Sequence, residues 1–330
     1  MAFNRKDAVD YADKHWNIPA DDGVFWLSNQ AVVISQVRRE NVIPRPEWKA
    51  APEADGWMPF FVYDGKTPKG ENAVFQRVKN GVTEEILIHP DAGIADCAHF
   101  LSRCLTKGGV PVAERGAPQM VQKLQGLSNT KTLGERITRE GGQRIIDTGI
   151  FKPGDMIGYF NIADDGDYGG KKEYSHSTMF VGKINGSTDG GVTCHTICRF
   201  PGRSWVEDRW WLKPPGRYTY TLIHFSDDDP IPNPGKTKAL TGWWKLEYSG
   251  KTEYYLMRQN GSVTYTKRAP KKGQTTVYTP EGSAYWFMPA SGEITFTWRN
   301  TGTVEVWTPA GDGYTSKING AIPGVLTKLP

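Results

Sequence analysis

Residues 95–105 read ADCAHFLSRCL, and the apolar residues of this stretch recur at the spacing of an amphipathic helix. Asp96 is a residue type favoured at helix N-caps, which predicts a helix over 96–106 with Cys97 in its first turn. Gly108-Gly109 suits the C-terminal cap of this helix. We expect its apolar face to lie against a sheet, and that face contains Cys97, Phe100, Leu101 and Cys104.

The position of Cys97 favours nucleophilic chemistry. The N–H groups and the dipole of a helix start stabilise a thiolate, and the same N–H groups can stabilise the oxyanion of a substrate carbonyl. A thiol at a helix start that faces a sheet has the geometry of a cysteine hydrolase nucleophile. The alternative is a buried structural cysteine, which is the common situation for this residue type and which fits Cys104.

A thiol nucleophile needs a base, and His176 is the candidate. Residues 174–183 read YSHSTMFVGK and predict a strand with His176 near its start. Ser175 and Ser177 flank the imidazole with small side chains that leave room for a substrate. A histidine in a strand is commonly a structural polar residue, but its pairing with an upstream helix-start cysteine favours the catalytic role.

His195 is the candidate for the group that orients the base. The strand predicted over 191–199 alternates, so His195 faces away from Cys194 and Cys198, and a neighbouring strand can place it beside His176. A zinc site is the competing use of these residues. Because the two cysteines and the histidine face opposite sides, and no second Cys/His pair has zinc-like spacing, we predict no metal and no cofactor.

The remaining pattern is that of an α+β chain, with helices first and an antiparallel sheet afterwards. Asn80-Gly81 between alternating apolar residues predicts a hairpin. The other predicted helices are 4–16, 25–37, 118–125 and 131–139, and the other predicted strands are 73–78, 82–88, 156–160 and 217–225.

The composition changes after residue 226, which predicts three regions: a domain over 1–226, an acidic and proline-rich linker over 227–238, and a small all-β domain over 239–330. The last region alternates aromatic and polar residues between turn signals, as in a barrel or a sandwich. Its aromatic residues either fill a β core or form a binding platform. Because neighbours such as Trp243-Trp244 face opposite sides, some aromatic surface outside the core is expected.

Bulk properties restrict the function. The formal net charge of the 330 residues is only +4, which gives no reason to expect a nucleic-acid partner. Four cysteines are too few for a disulfide scaffold, and no apolar run reaches the roughly 20 residues that span a bilayer. The N-terminus reads MAFNRKDA and is not a secretory signal, so we expect synthesis in the cytoplasm without a signal peptide.

At these residues the chain resembles the amidase-domain family of papain-like, NlpC-type cysteine peptidases. The resemblance covers about residues 4–200 and is carried by the order of several short motifs. These motifs are Arg5–Ala12, Asp96–Pro111, Pro153–Ile157, Ser175–Ser177 and Cys194–Thr196.

The resemblance implies a papain-like N-terminal domain, with the cysteine-bearing helix packed on an antiparallel sheet. It also implies hydrolysis of amide bonds in peptidoglycan, with Cys97 as nucleophile, His176 as base and His195 as orienter. The sequence departs from the pattern of this family in two places. About 80 residues separate the opening helix from Cys97, and Ala98-His99 replaces the asparagine expected after the cysteine.

Three functions are open from the sequence. The first is a peptidoglycan amidase or endopeptidase, secreted or injected as an interbacterial toxin that acts in the periplasm or cell wall, with a secretion apparatus and a cognate immunity protein as partners. The second is a cysteine protease, deamidase or acyltransferase that acts on a protein through the same residues. The third is a non-catalytic protein that binds a glycan or a receptor and whose Cys97 is inert.

Overall fold

The computed structural model describes eighteen parts of the chain. They are residues 2–15, 20–22, 24–27, 30–33, 42–44, 58–61, 73–79, 81–88, 96–162, 172–183, 190–195, 199–205, 216–227, 239–259, 261–277, 280–288, 292–320 and 322–330.

The elements of this described part are numbered in chain order. The helices are α1 (Arg5–His15), α2 (Cys97–Lys107), α3 (Ala117–Gln125) and α4 (Arg139–Asp147). The first strands are β1 (Val24–Leu27), β2 (Gln30–Val33), β3 (Val42–Pro44), β4 (Met58–Phe61), β5 (Ala73–Lys79), β6 (Val82–Ile88), β7 (Thr130–Ile137), β8 (Met156–Asn161), β9 (Tyr174–Lys183), β10 (Gly190–Cys194), β11 (Arg199–Ser204) and β12 (Tyr218–Phe225). The last eight strands are β13 (Gly242–Tyr248), β14 (Lys251–Met257), β15 (Ser262–Thr266), β16 (Gly282–Phe287), β17 (Ile294–Trp298), β18 (Val304–Ala310), β19 (Gly313–Ile318) and β20 (Ile322–Lys328).

The chain divides into two compact units that do not follow the predicted boundary at residue 226. The first unit contains Met1–Leu127 and Lys152–Tyr218, and the second contains Ser128–Phe151 and Thr219–Pro330. The predicted domain 1–226 is therefore shared between both units. The predicted linker 227–238 lies outside the described residues from 228 onward.

In the first unit, α2 and α3 pack on β9, which lies within the consecutive antiparallel strands β11-β10-β9-β8. The register of β8 with β9 places Gly158 opposite Ser177 and Tyr159 opposite His176. On the other side of β9, Met179 pairs with Thr193 of β10. Gly158 is needed here, because a Cβ on it would lie 2.7 Å from Val121 of α3. The sheet that carries His176 is thus covered closely by the helices.

The first helix begins and packs as its sequence indicates. The side-chain oxygen of Asn4 accepts a bond from the N–H of Asp7, and the residues that recur at helical spacing, Ala8, Tyr11 and Ala12, are buried. A salt bridge from Arg5 to the buried Asp155 ties this helix to the start of β8, with 2.6 Å between the charged atoms.

The region between α1 and α2 contains strands where one helix was expected. The predicted helix over 25–37 is wrong, because β1 and β2 pair antiparallel within that range. Aromatic and β-branched residues on either side of Ser28-Asn29 favour a strand–turn–strand arrangement over a helix. The predicted hairpin at Asn80-Gly81 is confirmed, since Lys79 of β5 pairs with Val82 of β6.

The second unit corrects another helix. Residues 131–139 were expected to be helical, but β7 occupies most of this range and pairs antiparallel with β12. The helix that follows, α4, contains Gly141-Gly142, which gave no helical signal because glycine disfavours helices. Glycine suits the close packing at position 141, since a Cβ there would lie 3.0 Å from the carbonyl oxygen of Thr301.

The last eight strands form a closed antiparallel barrel in the order β13 to β20. Inward and outward residues alternate, so Trp244, Tyr255 and Trp286 are buried while their neighbours Trp243, Tyr254 and Tyr285 are half-buried. Ser249-Gly250 joins the first two strands with positive φ at both residues, which matches the twist of a two-residue hairpin.

A carboxylate lies inside this aromatic core. Glu305 is buried, and its oxygens accept bonds from the indole N–H of Trp307 at 2.6 Å and of Trp298 at 3.1 Å. The hydroxyls of Ser316 and Tyr255 donate two further bonds. Burial raises the pKa of Glu305 above its usual value, and these bonds oppose the shift. Because an indole N–H can only donate, the core needs an acceptor at this position.

No helix within the described part of the chain has the length and apolarity required to cross a membrane.

Replacing Glu305 by Gln should lower the free energy of unfolding by about 1–3 kcal/mol, because the amide NH₂ would face an indole N–H or a hydroxyl proton. Urea unfolding of the full chain measures the change. The matched control is Glu247→Gln on the outer face of the barrel, where the side chain is 56% exposed and the change should be small. Equal stability of wild type and Glu305→Gln would contradict this account of the core.

Candidate active site

Cys97 is the first residue of α2 and is buried, with 5% of its surface exposed. Burial raises the pKa of its thiol to about 11, and the nearby Asp96 carboxylate acts in the same direction. Hydrogen bonds from the backbone N–H and the hydroxyl of Ser177 oppose this shift by stabilising the thiolate. The expected position of Cys97 is confirmed, but its thiol is protonated at neutral pH in this resting geometry.

Asp96 occupies the N-cap position, but its side chain does not cap the helix. Its φ of −92° and ψ of −3° are helical, and its side chain makes no cap hydrogen bond. The buried carboxylate instead accepts a bond from Nδ1 of His99 at 2.9 Å and from Nδ1 of His195 at 2.5 Å. The predicted N-cap position of Asp96 is confirmed, and its side chain binds two imidazoles instead of a helical N–H.

His195 joins α1 to α2 instead of orienting His176. Besides the bond to Asp96, its Nε2 lies 2.8 Å from the carbonyl oxygen of His15, and its ring stacks on Phe100 with 4.0 Å between centroids. Both ring nitrogens are thereby engaged. In this structure His195 therefore uses both ring nitrogens for bonds other than the predicted one to His176.

His176 lies on β9, one residue from the group that touches the thiol. Its buried ring packs against Tyr159, with 5.1 Å between centroids and 50° between planes. Side chains alternate along a strand, and the Ser177 hydroxyl lies at Cys97, so regular alternation directs the His176 ring to the other face. The backbone of the predicted base is close to the predicted nucleophile, but its ring lies on the opposite face of the sheet, and rotation of the side chain alone does not bring it to the thiol.

His99 and Asp22 are functional candidates that the sequence reasoning missed. Nε2 of His99 lies 2.9 Å from a carboxylate oxygen of Asp22, and its Nδ1 is held by Asp96. The pKa of His99 is raised, because these two carboxylates outweigh the effect of burial. The spacing Asp96-x-x-His99 on a helix is a signal for the contact between Asp96 and His99. Asp22 is distant in sequence, so its contact with His99 carries no such signal.

A surface cleft of about 470 Å³ lies in the first unit beside this cluster. Its walls include the stacked rings of Tyr11 and His15, with 3.9 Å between centroids, and the pair Asp21–Lys107. His15 thus lines the cleft with its ring and holds His195 with its carbonyl oxygen.

Within the described residues, no group of three or more His, Cys, Asp or Glu side chains is placed to hold a metal ion. Among the described residues, Cys97, Cys104 and Cys194 form no disulfide, and Cys198 lies outside them.

Comparison with known proteins finds no matching family model, curated protein or solved structure for this chain. The resemblance to NlpC-type amidases is therefore carried by the motifs of the sequence alone.

Replacing Ser177 by Ala should slow alkylation of Cys97 several-fold at a fixed alkaline pH, because the hydroxyl that stabilises the thiolate is removed. Peptide mapping by mass spectrometry after iodoacetamide treatment gives the rate at each cysteine. Ser175→Ala, two residues away on the same strand, is the matched control and should leave the rate unchanged. A Cys97 rate equal in both variants would show that the Ser177 hydroxyl does not act on the thiol.

Proposed function

We propose that this protein is a cysteine hydrolase of amide bonds, with Cys97 as nucleophile and His176 as general base. The observation that carries the proposal is the placement of Cys97 at the start of α2 against β9, where Ser177 contacts the thiol next to His176. This is the arrangement of a helix-borne thiol facing the strand of its base.

The chemistry follows from these groups. His176 takes the proton of the Cys97 thiol, and the thiolate attacks the carbonyl carbon of the substrate amide. N–H groups at the start of α2 stabilise the oxyanion, and His176 returns the proton to the leaving amine. Water then hydrolyses the thioester with His176 again as base. Because the His176 ring lies on the opposite face of the sheet, the proposal requires the backbone of β9 to rearrange at His176 so that the imidazole reaches the thiol when substrate binds.

The substrate class comes from the resemblance. Peptidoglycan stem peptides, or their junction to the glycan, are the amides that NlpC-type enzymes cleave, and we propose them as substrates here. A mixed cationic and anionic cleft beside α1 is compatible with a peptide that carries both charges. Export to the cell wall, a secretion apparatus and an immunity protein stay predictions of the sequence.

Three observations favour a second candidate function, a non-catalytic binding protein. The Cys97 thiol is buried, its pKa is about 11, and both nitrogens of His195 are engaged elsewhere. These are features of a structural cysteine. The barrel would then be the recognition module, with half-buried aromatic residues on its outer face such as Trp243, Tyr254 and Tyr285.

Digestion of purified peptidoglycan distinguishes the two candidates. Wild type should release soluble fragments identified by mass spectrometry, and Cys97→Ala should release none because the nucleophile is lost. His176→Gln should lower the rate by a factor of about 10²–10⁴, the usual contribution of a general base.

Cys104→Ala is the matched control, because Cys104 is also buried on α2 but lies two turns from the helix start. It should retain activity. Fragments released equally by wild type and Cys97→Ala would overturn the assignment of the nucleophile. A wild type that releases nothing and whose Cys97 resists alkylation would favour the binding protein.

A further inference from the structure

Five groups around Asp96 form a continuous chain of hydrogen bonds, here called the imidazole chain. In order, its members are the Asp22 carboxylate, the His99 ring, the Asp96 carboxylate, the His195 ring and the His15 carbonyl. The four contacts measure 2.9, 2.9, 2.5 and 2.8 Å. Two imidazoles therefore alternate with three oxygen acceptors.

The geometry fixes the number of protons. A carbonyl oxygen and an ionised carboxylate only accept, so each of the four contacts needs a proton on the imidazole nitrogen. Asp96 is ionised, since bonds from the two imidazoles hold its pKa below the usual value despite burial. Four protons on two rings would make both rings imidazolium. Their two positive charges balance the two carboxylates, and the chain is neutral as a whole.

The chain connects the elements that surround Cys97. His15 ends α1, Asp22 lies in the turn after α1, and His195 directly follows β10. Asp96 is bonded to Cys97 and accepts the first helical bond, from Phe100, through its carbonyl at 2.9 Å. Fixing the Asp96 side chain therefore fixes the backbone from which the thiol projects.

We propose that the imidazole chain positions Cys97 by fixing Asp96, and that the chain stays closed only while both of its imidazoles carry two protons. The positioning part rests on the proposed hydrolase function, whereas the proton content does not.

The chain should be sensitive to pH in both directions. The pKa of His99 is raised from 6.5, so its stabilisation is complete below pH 6.5 and is lost as pH rises through the raised value. The pKa of Asp96 is lowered from 3.8, so its stabilisation is present above pH 3.8 and is lost as pH falls through the lowered value. Other charged or titratable groups that face the chain include the ring of His15 from α1 and both Cys97 and Arg103 from α2.

Nitrogen NMR of histidine-labelled protein tests the proton content. At about pH 7.5, one unit above the ordinary imidazole pKa, two of the six histidines should show both ring nitrogens protonated. His99→Gln and His195→Gln assign these signals. Asp96→Asn should remove at least one of them, because its amide NH₂ can only face an unprotonated nitrogen. Neutral rings for His99 and His195 in wild type would overturn the proposal.

Asp155→Asn is the matched control for burial. Asp155 is a second fully buried aspartate of the first unit, and it binds Arg5 and the N–H of Lys152 instead of an imidazole. Its replacement should lower stability and leave the two imidazolium signals in place. If Asp155→Asn removed the imidazolium signals as Asp96→Asn does, the signals would depend on the general stability of the unit. That result would contradict the proposal.

Alkylation and hydrolysis together test the positioning. Opening the chain should expose Cys97 and remove a neighbouring negative charge, so Asp96→Asn should speed alkylation about tenfold, the effect of one pKa unit. The same variant should slow hydrolysis of peptidoglycan and flatten its dependence on pH above neutrality. Asp155→Asn should change neither the alkylation rate of Cys97 nor the dependence of hydrolysis on pH. Unchanged alkylation in Asp96→Asn would overturn the positioning role, whereas imidazolium signals in a wild type without hydrolase activity would leave the chain standing and refute the proposed function.

Discussion

The bond between the Asp96 carboxylate and His195 is the interaction on which the candidate site depends. It joins the start of α2 to the end of β10, and through the His15 carbonyl it reaches α1. Burying a carboxylate destabilises a protein unless a positive charge and hydrogen bonds compensate for the lost solvation. Here the matching groups are two imidazoles, so the same contact that organises the site also makes it sensitive to the protonation of its neighbours. The position of Cys97 depends on the same protonation, because Cys97 directly follows Asp96 in the sequence.

Much of the fold followed from periodicity. The helix at Cys97, the hairpin at Asn80-Gly81 and the strand that carries His176 lie where the sequence predicted them. The errors have physical causes. Residues 131–137 form a strand because β12 pairs with them, and the glycines of α4 are tolerated because Gly141 allows close approach to Thr301. Both depend on contacts between distant segments, which local propensity does not contain.

The site was less predictable than the fold. The sequence indicated Cys97 at a helix start and placed His195 on the opposite side of its strand from Cys194. It did not indicate that His195 binds Asp96, or that His99 and Asp22 extend the same cluster, because tertiary contacts set those pairings. The raised pKa of Cys97 has the same origin: helix position favours a thiolate, but burial by neighbouring elements dominates. The papain-like fold and the hydrolase activity stay proposals that rest on the motifs and on the placement of Cys97 against β9.

A double-mutant cycle between Asp96→Asn and His195→Gln tests the central claim most directly. The free energy of unfolding of wild type, both single variants and the double variant is measured in urea at about pH 6. The account predicts a coupling energy of about 1–3 kcal/mol, because each single change leaves a buried partner without its charge-assisted bond. Additive effects, with a coupling below about 0.5 kcal/mol, would contradict it.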